Sequence, residues 1–260
     1  MNVNGFKSYG YIYDDVSSEI LDYLGKKGEE ARKNKQFYNG RSVVSIEEQY
    51  ALDIGDIDEE YAYTYFNMFQ SYENQFGYVV NNFPNFMGDI TPPMTFYNNL
   101  RICYQKKGEF YSPTRNEGSH SFITFLKVPT DLDEERNHPS QARKVENYEL
   151  TIGPNTIGPA FNQDGPGSLN LLYTLQTGTG VGSETISVDP YTEGRTFLFP
   201  SSQAFYINPF YTSDEPLVYV IGSLCFSNIK QNPDKKQSDD GGARSSEYPD
   251  IDHSDNYFDS

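Results

Sequence analysis

The stretch that decides the fold is GRTFLFPSSQAFYINPFYTSDEPLVYVIGSLCFSNI, at residues 194–229. Its three apolar runs, at 196–199, 205–210 and 217–229, are rich in β-branched and aromatic residues, which favour strands. Pro, Ser, Asn and Asp between the runs mark turns. The stretch therefore predicts consecutive β-strands joined by short connections.

The same pattern extends through the second half of the chain. Further strand-like runs lie at 96–105, 121–128, 148–152, 169–175 and 185–188. Gly-rich segments at 153–168 and 176–183 are predicted to be surface loops. Many short strands without intervening helices are typical of a double-sheet jelly roll, so we expect a mainly β fold.

Helices are predicted only before these strands. Val16, Ile20 and Leu24 recur at helical spacing, which predicts a helix over about 15–35 with Asp14 or Asp15 as its cap. A second helix is predicted over about 56–76, where Asp56 and Glu59 have the spacing of a capping box. An aromatic stripe on this helix is expected to pack against a sheet, and it consists of Tyr61, Tyr65, Met68, Phe69, Tyr72 and Phe76.

Composition limits the classes of partner. The 260-residue chain has a net charge of −17, which argues against binding nucleic acid or an anionic membrane. We expect one jelly-roll domain at 1–229, with its helices first, and a flexible acidic tail at 230–260. The amino terminus does not resemble a signal peptide, and Cys103 and Cys225 are expected to be buried free thiols. The sequence thus indicates a soluble protein that is not secreted.

Two blocks of sequence carry a family resemblance. QKKGEFYSPTRNEGSHSFITFLKVPTDLDEER at 105–136 and LFPSSQAFYINPFYTSDEP at 198–216 resemble a group of 2-oxoglutarate/Fe(II) oxygenase-like proteins of marine tailed phages. The resemblance implies a double-stranded β-helix, which is a jelly-roll barrel. It also implies an Fe(II) ion held by a His-x-Asp/His pair and a distal His, with a basic residue that binds 2-oxoglutarate.

The residues that this resemblance places at the functional positions are not the expected ones. The first two iron ligands fall at Thr114 and Asn116, the distal His at Phe205 and the basic residue at Leu217. Phe cannot donate to iron, Leu cannot neutralise a carboxylate, and Thr and Asn are poor iron ligands. We therefore expect a degenerate member of the family that has no catalytic residues, metal or cofactor.

The three histidines do not offer an obvious replacement set. His120 occupies an apolar position just before a predicted strand and is expected to be structural. His138 is expected to be solvated in a charged loop. His253 and Asp255 spell His-x-Asp, but they lie in the acidic tail, beyond the last predicted strand.

Three functions remain open at this point. The first is a non-catalytic structural or assembly protein of a phage virion, made in the host cytoplasm, with other virion proteins or a second copy of the chain as partners. The second is an active or atypical 2-oxoglutarate/Fe(II) dioxygenase. The third is a jelly-roll module that binds a sugar or another small molecule.

Overall fold

The stretch at 194–229 folds as three strands, β9 (Arg195–Pro200), β10 (Ala204–Ile207) and β11 (Leu217–Phe226). The structure is a computed structural model. It describes residues 10–38, 45–52, 59–77, 94–96, 100–139, 167–174 and 181–226. These residues belong to a unit that spans Met1–Ser227, and the second unit, Asn228–Ser260, lies outside the described residues.

Eight other strands and three helices complete the described part of the chain. The strands are β1 (Ile12–Asp15), β2 (Glu48–Ala51), β3 (Met94–Phe96), β4 (Arg101–Gln105), β5 (Tyr111–Thr114), β6 (His120–Lys127), β7 (Leu169–Thr174) and β8 (Val181–Ile186). The helices are α1 (Ser18–Lys33), α2 (Glu59–Phe76) and the short α3 (Leu132–Arg136), and a 3₁₀ turn covers Pro190–Thr192. In this part, neither α1 nor α2 carries the uninterrupted apolar length that a membrane-spanning helix needs.

Strand pairing defines the architecture. Strands β4 to β11 pair as nested antiparallel partners, β4 with β11, β5 with β10, β6 with β9 and β7 with β8. They lie in two sheets, a large one in the order β1-β9-β6-β11-β4-β2, which β3 joins through β11, and a small one in the order β5-β10-β7-β8. Nested pairing across two facing sheets is the topology of a jelly roll. The expected double-stranded β-helix is thus confirmed.

Alternation along the strands separates two hydrophobic cores. In β11, Leu217, Tyr219 and Ile221 point into the barrel, where they join a buried cluster with residues of the small sheet. Val218 and Val220 point the other way and join a cluster with the helices. Successive side chains of a strand face opposite sides. The alternating residues of β11 therefore contribute to both cores, and both faces of the large sheet are buried.

The helices cover the outer face of the large sheet. Helix α1 buries Ile20 and Leu24 against it, and Ser17 caps the helix by accepting a hydrogen bond from the Ile20 amide at 3.4 Å. In α2, the predicted stripe is buried, with Phe76 partly so, as expected for packing against a sheet. A hydroxyl chain anchors α2, because Tyr65 Oη lies 2.5 Å from Thr124 Oγ1, which is 2.7 Å from Thr196 Oγ1.

Several details differ from the sequence predictions. Asp14 and Asp15 belong to strand β1, so the cap of α1 is Ser17 instead. The segment at 181–183, predicted as part of a Gly-rich loop, begins strand β8. Strands β1, β2 and β5 were not predicted, because their sequences IYDD, EQYA and YSPT contain no apolar run. Asp56 and the predicted strand at 148–152 lie outside the described residues.

Candidate functional site

Two of the four family positions are paired neighbours on adjacent strands of the small sheet. Thr114, the last residue of β5, pairs directly with Phe205 of β10. Directly opposed residues in an antiparallel pair project from the same face of the sheet. Phe205 is fully buried in the barrel cluster, so Thr114 also faces the interior of the barrel.

The surroundings of Phe205 are aromatic. Its ring stacks on Tyr111 with centroids 5.5 Å apart and meets Phe199 edge-on at 5.4 Å. Such ring pairs add about 0.5–1.5 kcal/mol each beyond the burial of their area. The position at which the family resemblance expects the distal iron ligand is therefore part of an aromatic core.

Asn116 lies two residues after the end of β5, and both polar atoms of its side chain form hydrogen bonds with other residues. Its Oδ1 accepts a hydrogen bond from Arg101 Nη2 at 3.4 Å, and its Nδ2 donates to the Gly222 carbonyl at 3.5 Å. The side-chain oxygen that would face a metal thus faces a guanidinium group. Asn116 connects the end of β5 to β11 and to the first residue of β4.

Arg101 is a fully buried cation in this region. Only 2% of its surface is exposed, and it donates a hydrogen bond to the Tyr111 hydroxyl. Its guanidinium carbon also lies 4.7 Å from the centroid of the Tyr38 ring and 5.6 Å from that of Tyr111. Rings at these distances stabilise a cation through their electron-rich faces.

Leu217 lies apart from the other three positions. It opens β11 opposite Gln105 and is buried, whereas Asn116 contacts Gly222, five residues further along the strand. At about 3.4 Å per residue, that separation is roughly 17 Å along β11. The structure therefore brings Thr114 and Phe205 together and links Asn116 to them through Arg101 and Tyr111. Leu217 lies apart, at the beginning of β11.

The interior next to Leu217 is occupied by a hydrogen-bonded pair. Tyr219 donates its hydroxyl to Gln105 Oε1 at 3.0 Å. Gln105 Nε2 donates in turn to the carbonyls of Glu109 and Asn208, at 2.8 and 3.0 Å. These groups satisfy one another and offer neutral amide and hydroxyl groups where the family resemblance expects a cation for a carboxylate.

Cys103 also faces the barrel between Arg101 and Gln105. Burial raises the pKa of this thiol to about 12, although the nearby Arg101 cation partly opposes the shift. At neutral pH the sulfur is therefore protonated. A neutral thiol is neither a good metal ligand nor a nucleophile, so Cys103 behaves as a small core residue.

His120 lies on the opposite face of the large sheet. Its ring meets Phe69 and Tyr72 of α2 edge-on, at 5.0 and 4.9 Å, and its Nε2 is 3.4 Å from Glu73 Oε1. Burial lowers the pKa of His120, and the Glu73 carboxylate only partly offsets this effect. His120 thus joins α2 to the sheet, as expected for a structural histidine, and cannot reach the barrel interior.

The other two histidines lie elsewhere. His138 is partly buried, and its ring stacks on Tyr211 with centroids 5.5 Å apart, so it is less solvated than the sequence predicted. His253 lies outside the described residues.

The donor set at these positions does not fit Fe(II). A phenyl ring has no lone pair to give, and a hydroxyl and a neutral amide bind iron weakly without imidazole or carboxylate partners. The guanidinium beside Asn116 adds a like charge. In the described part of the chain, no three His, Cys, Asp or Glu residues cluster in a way that could hold a metal.

Sequence reasoning missed three buried ionisable side chains in the described residues, Glu73, Arg101 and Glu135. Arg101 could have been noticed, because it interrupts the apolar run 96–105 on the same alternating face as Cys103. Glu135 of α3 is buried, and its Oε1 accepts hydrogen bonds from the Tyr211 and Thr212 amides at 2.7 and 2.6 Å. No signal in the sequence separates Glu135 from the acidic residues around it.

Comparisons with known proteins include three solved structures of low similarity. A prolyl-4-hydroxylase from Pseudomonas putida matches 83% of this chain and 92% of its own, with 12% identity and a TM-score of 0.46. A prolyl hydroxylase from Trichoplax adhaerens, in complex with a hypoxia inducible factor peptide, matches 85% and 86%, with 13% identity and a TM-score of 0.41.

A third structure is an oxidoreductase of the 2OG-Fe(II) oxygenase family from Burkholderia pseudomallei. It matches 82% of this chain and 84% of its own, with 9% identity and a TM-score of 0.38. No protein-family model and no curated protein matches the sequence. At these identities and TM-scores, the fold assignment rests on the strand pairing, and the site is interpreted from its own residues.

Proposed function

We propose that this chain is a non-catalytic protein built on an oxygenase-like jelly roll, and that it serves as a structural or assembly component of a tailed-phage virion. The observation that supports the first half is the Arg101–Asn116 contact beside the Thr114–Phe205 pair. A cation and an aromatic core occupy the region where the family resemblance expects iron. The neighbouring Gln105–Tyr219 pair and Leu217 offer no cation to 2-oxoglutarate.

The non-catalytic part of the proposal predicts that a metal ion and 2-oxoglutarate together do not raise the Tm of the chain. We expect the Tm of the purified chain to change by less than about 1 °C when Mn²⁺, used in place of oxygen-sensitive Fe(II), and 2-oxoglutarate are added together. A ligand at 100 times its Kd would stabilise the fold by about 2.7 kcal/mol, which is a shift of roughly 5–10 °C for a chain of this size. Differential scanning fluorimetry measures the difference.

Mg²⁺ alone is the control for this measurement, because a chain with a net charge of −17 attracts divalent cations without a specific site. A shift of 5 °C or more that requires both Mn²⁺ and 2-oxoglutarate would show that the chain is an oxygenase with an unusual ligand set. It would contradict the proposal.

The assembly half is motivated by composition and exposed aromatic rings. The chain has 22 Tyr and 18 Phe residues. Among the described ones, Tyr13, Tyr63 and Tyr191 are 59, 60 and 87% exposed. Aromatic side chains are enriched where proteins contact one another, and the acidic surface disfavours nucleic acid and anionic membranes as partners.

Purified particles provide the test of this half. We expect mass spectrometry to find the chain in stoichiometric amounts in virions banded on a density gradient. We expect its cross-links to other virion proteins to involve the segments at 129–144, 153–168 or 230–260. A chain that is absent from banded particles and remains monomeric among isolated virion proteins would contradict the assembly role.

A further inference from the structure

We propose that the guanidinium of Arg101 takes the place of a metal ion inside the barrel. It supplies a permanent positive charge beside Asn116 and keeps divalent cations out of the space bordered by Thr114, Asn116 and Phe205. The inference rests on the proposed non-catalytic function and explains what maintains the interior of the barrel in the absence of a metal.

The backbone fixes where this charge lies. Arg101 begins β4, which lies between β11 and β2 in the large sheet, and it pairs with Ile221 of β11. Its neighbours Ile102 and Tyr104 belong to the outer cluster, and Cys103 belongs to the barrel cluster. Alternation along the strand therefore directs the Arg101 side chain into the barrel. With only 2% of its surface exposed, the group is held within the interior.

The contacts of Arg101 link elements that a shared metal would also link. The guanidinium donates to the Tyr111 hydroxyl on β5 and to Asn116 Oδ1 just beyond it. Asn116 passes the connection on to the Gly222 carbonyl of β11. Through these bonds, one cation on β4 connects the small sheet to the large one, which is how a metal joins ligands from several strands.

The same position disfavours a divalent ion. An ion bound to Asn116 Oδ1 at about 2.2 Å would lie no more than about 6 Å from Arg101 Nη2, since the two side-chain atoms are 3.4 Å apart. Like charges at that distance repel strongly in an interior that screens them poorly. Restoring the ligands alone would therefore not restore a metal site.

A reconstructed site tests this directly. The triple variant Thr114→His, Asn116→Asp, Phe205→His is prepared in three forms, with Arg101 retained, with Arg101→Lys and with Arg101→Met. Co²⁺ is the probe, because its visible absorption reports binding to protein ligands, and circular dichroism verifies the fold of each chain. We expect the Arg101→Met form to bind Co²⁺ at least a hundredfold more tightly than the form that retains Arg101.

The Arg101→Lys form keeps the charge, so it is expected to bind as weakly as the form with Arg101. A difference of less than tenfold between the Arg101 and Arg101→Met forms would overturn the inference, as would tight binding by the Arg101→Lys form. These results leave the proposed function untouched, since that proposal fails only if the wild-type chain itself responds to metal and 2-oxoglutarate.

A second measurement covers the case in which the reconstructed chains do not fold. Arg101→Met in the wild-type background removes the donor to Tyr111 and Asn116. Arg101→Lys keeps a cation but loses the planar guanidinium group, which can donate to both partners at once. We expect both variants to melt below the wild type, with Arg101→Met the lower. An Arg101→Met chain that melts at or above the wild-type temperature would overturn the inference.

Discussion

Replacing Glu135 with Ala is expected to lower the free energy of unfolding by about 3 kcal/mol, or roughly 6–12 °C in Tm. The Oε1 atom of Glu135 accepts hydrogen bonds from the Tyr211 amide, the Thr212 amide and the Thr212 hydroxyl, the last at 2.6 Å. Alanine would leave these partly buried donors without their acceptor. Chemical denaturation followed by circular dichroism measures the loss.

Glu134→Ala is the matched control, because its side chain is exposed on the same short helix. We expect it to change stability by less than about 0.5 kcal/mol. Glu135→Gln keeps one acceptor oxygen and is expected to fall between the two. If Glu135→Ala is within about 1 kcal/mol of the wild type, the carboxylate does not hold the connection between β10 and β11, and the expected value is wrong.

Glu135 also connects the two sequence blocks on which the family resemblance is based. The block at 105–136 supplies the carboxylate, and the block at 198–216 supplies the backbone donors that it binds. The two blocks thus form one interaction that shapes the end of the barrel.

Gly118→Ala is expected to cost about 3 kcal/mol. Gly118 has a φ of +103°, which L-residues with a side chain rarely adopt. A Cβ atom there would lie 2.6 Å from the carbonyl oxygen of Leu224 in β11. That oxygen accepts hydrogen bonds from the amide and hydroxyl of Ser119, at 2.8 and 3.0 Å, so it cannot move without breaking both.

Gly108→Ala separates the steric cost from the conformational one. Gly108 also has a positive φ, +79°, but a Cβ atom there would meet no atom within 4 Å. We expect it to cost about 1 kcal/mol, measured by the same denaturation. Equal losses at Gly108 and Gly118 would mean that the loop carrying Asn116 is not held closely against β11.

The class of fold was predictable because it depends on patterns that neighbouring residues display. The alternation in 217–229 and the turn residues around 200 and 216 predict strands before any tertiary contact is known. The buried faces of α1 and α2 were predictable for the same reason, because Leu24 and Tyr65 each belong to a series of apolar residues at helical spacing. The short strands β1, β2 and β5 were not, because their sequences IYDD, EQYA and YSPT contain no run of apolar residues, and they form strands only by pairing with a neighbour.

What the sequence by itself determined is the jelly roll, its helical cover and the identity of Thr114, Asn116, Phe205 and Leu217. Only the tertiary structure decided which groups meet these residues. Arg101 precedes Asn116 by fifteen positions, and Glu135 is separated from Thr212 by 77. Contacts of this kind depend on the register between strands and on how loops close over the barrel. A buried charge and a solvated one look alike in the sequence, and the partners that distinguish them come from distant parts of the chain.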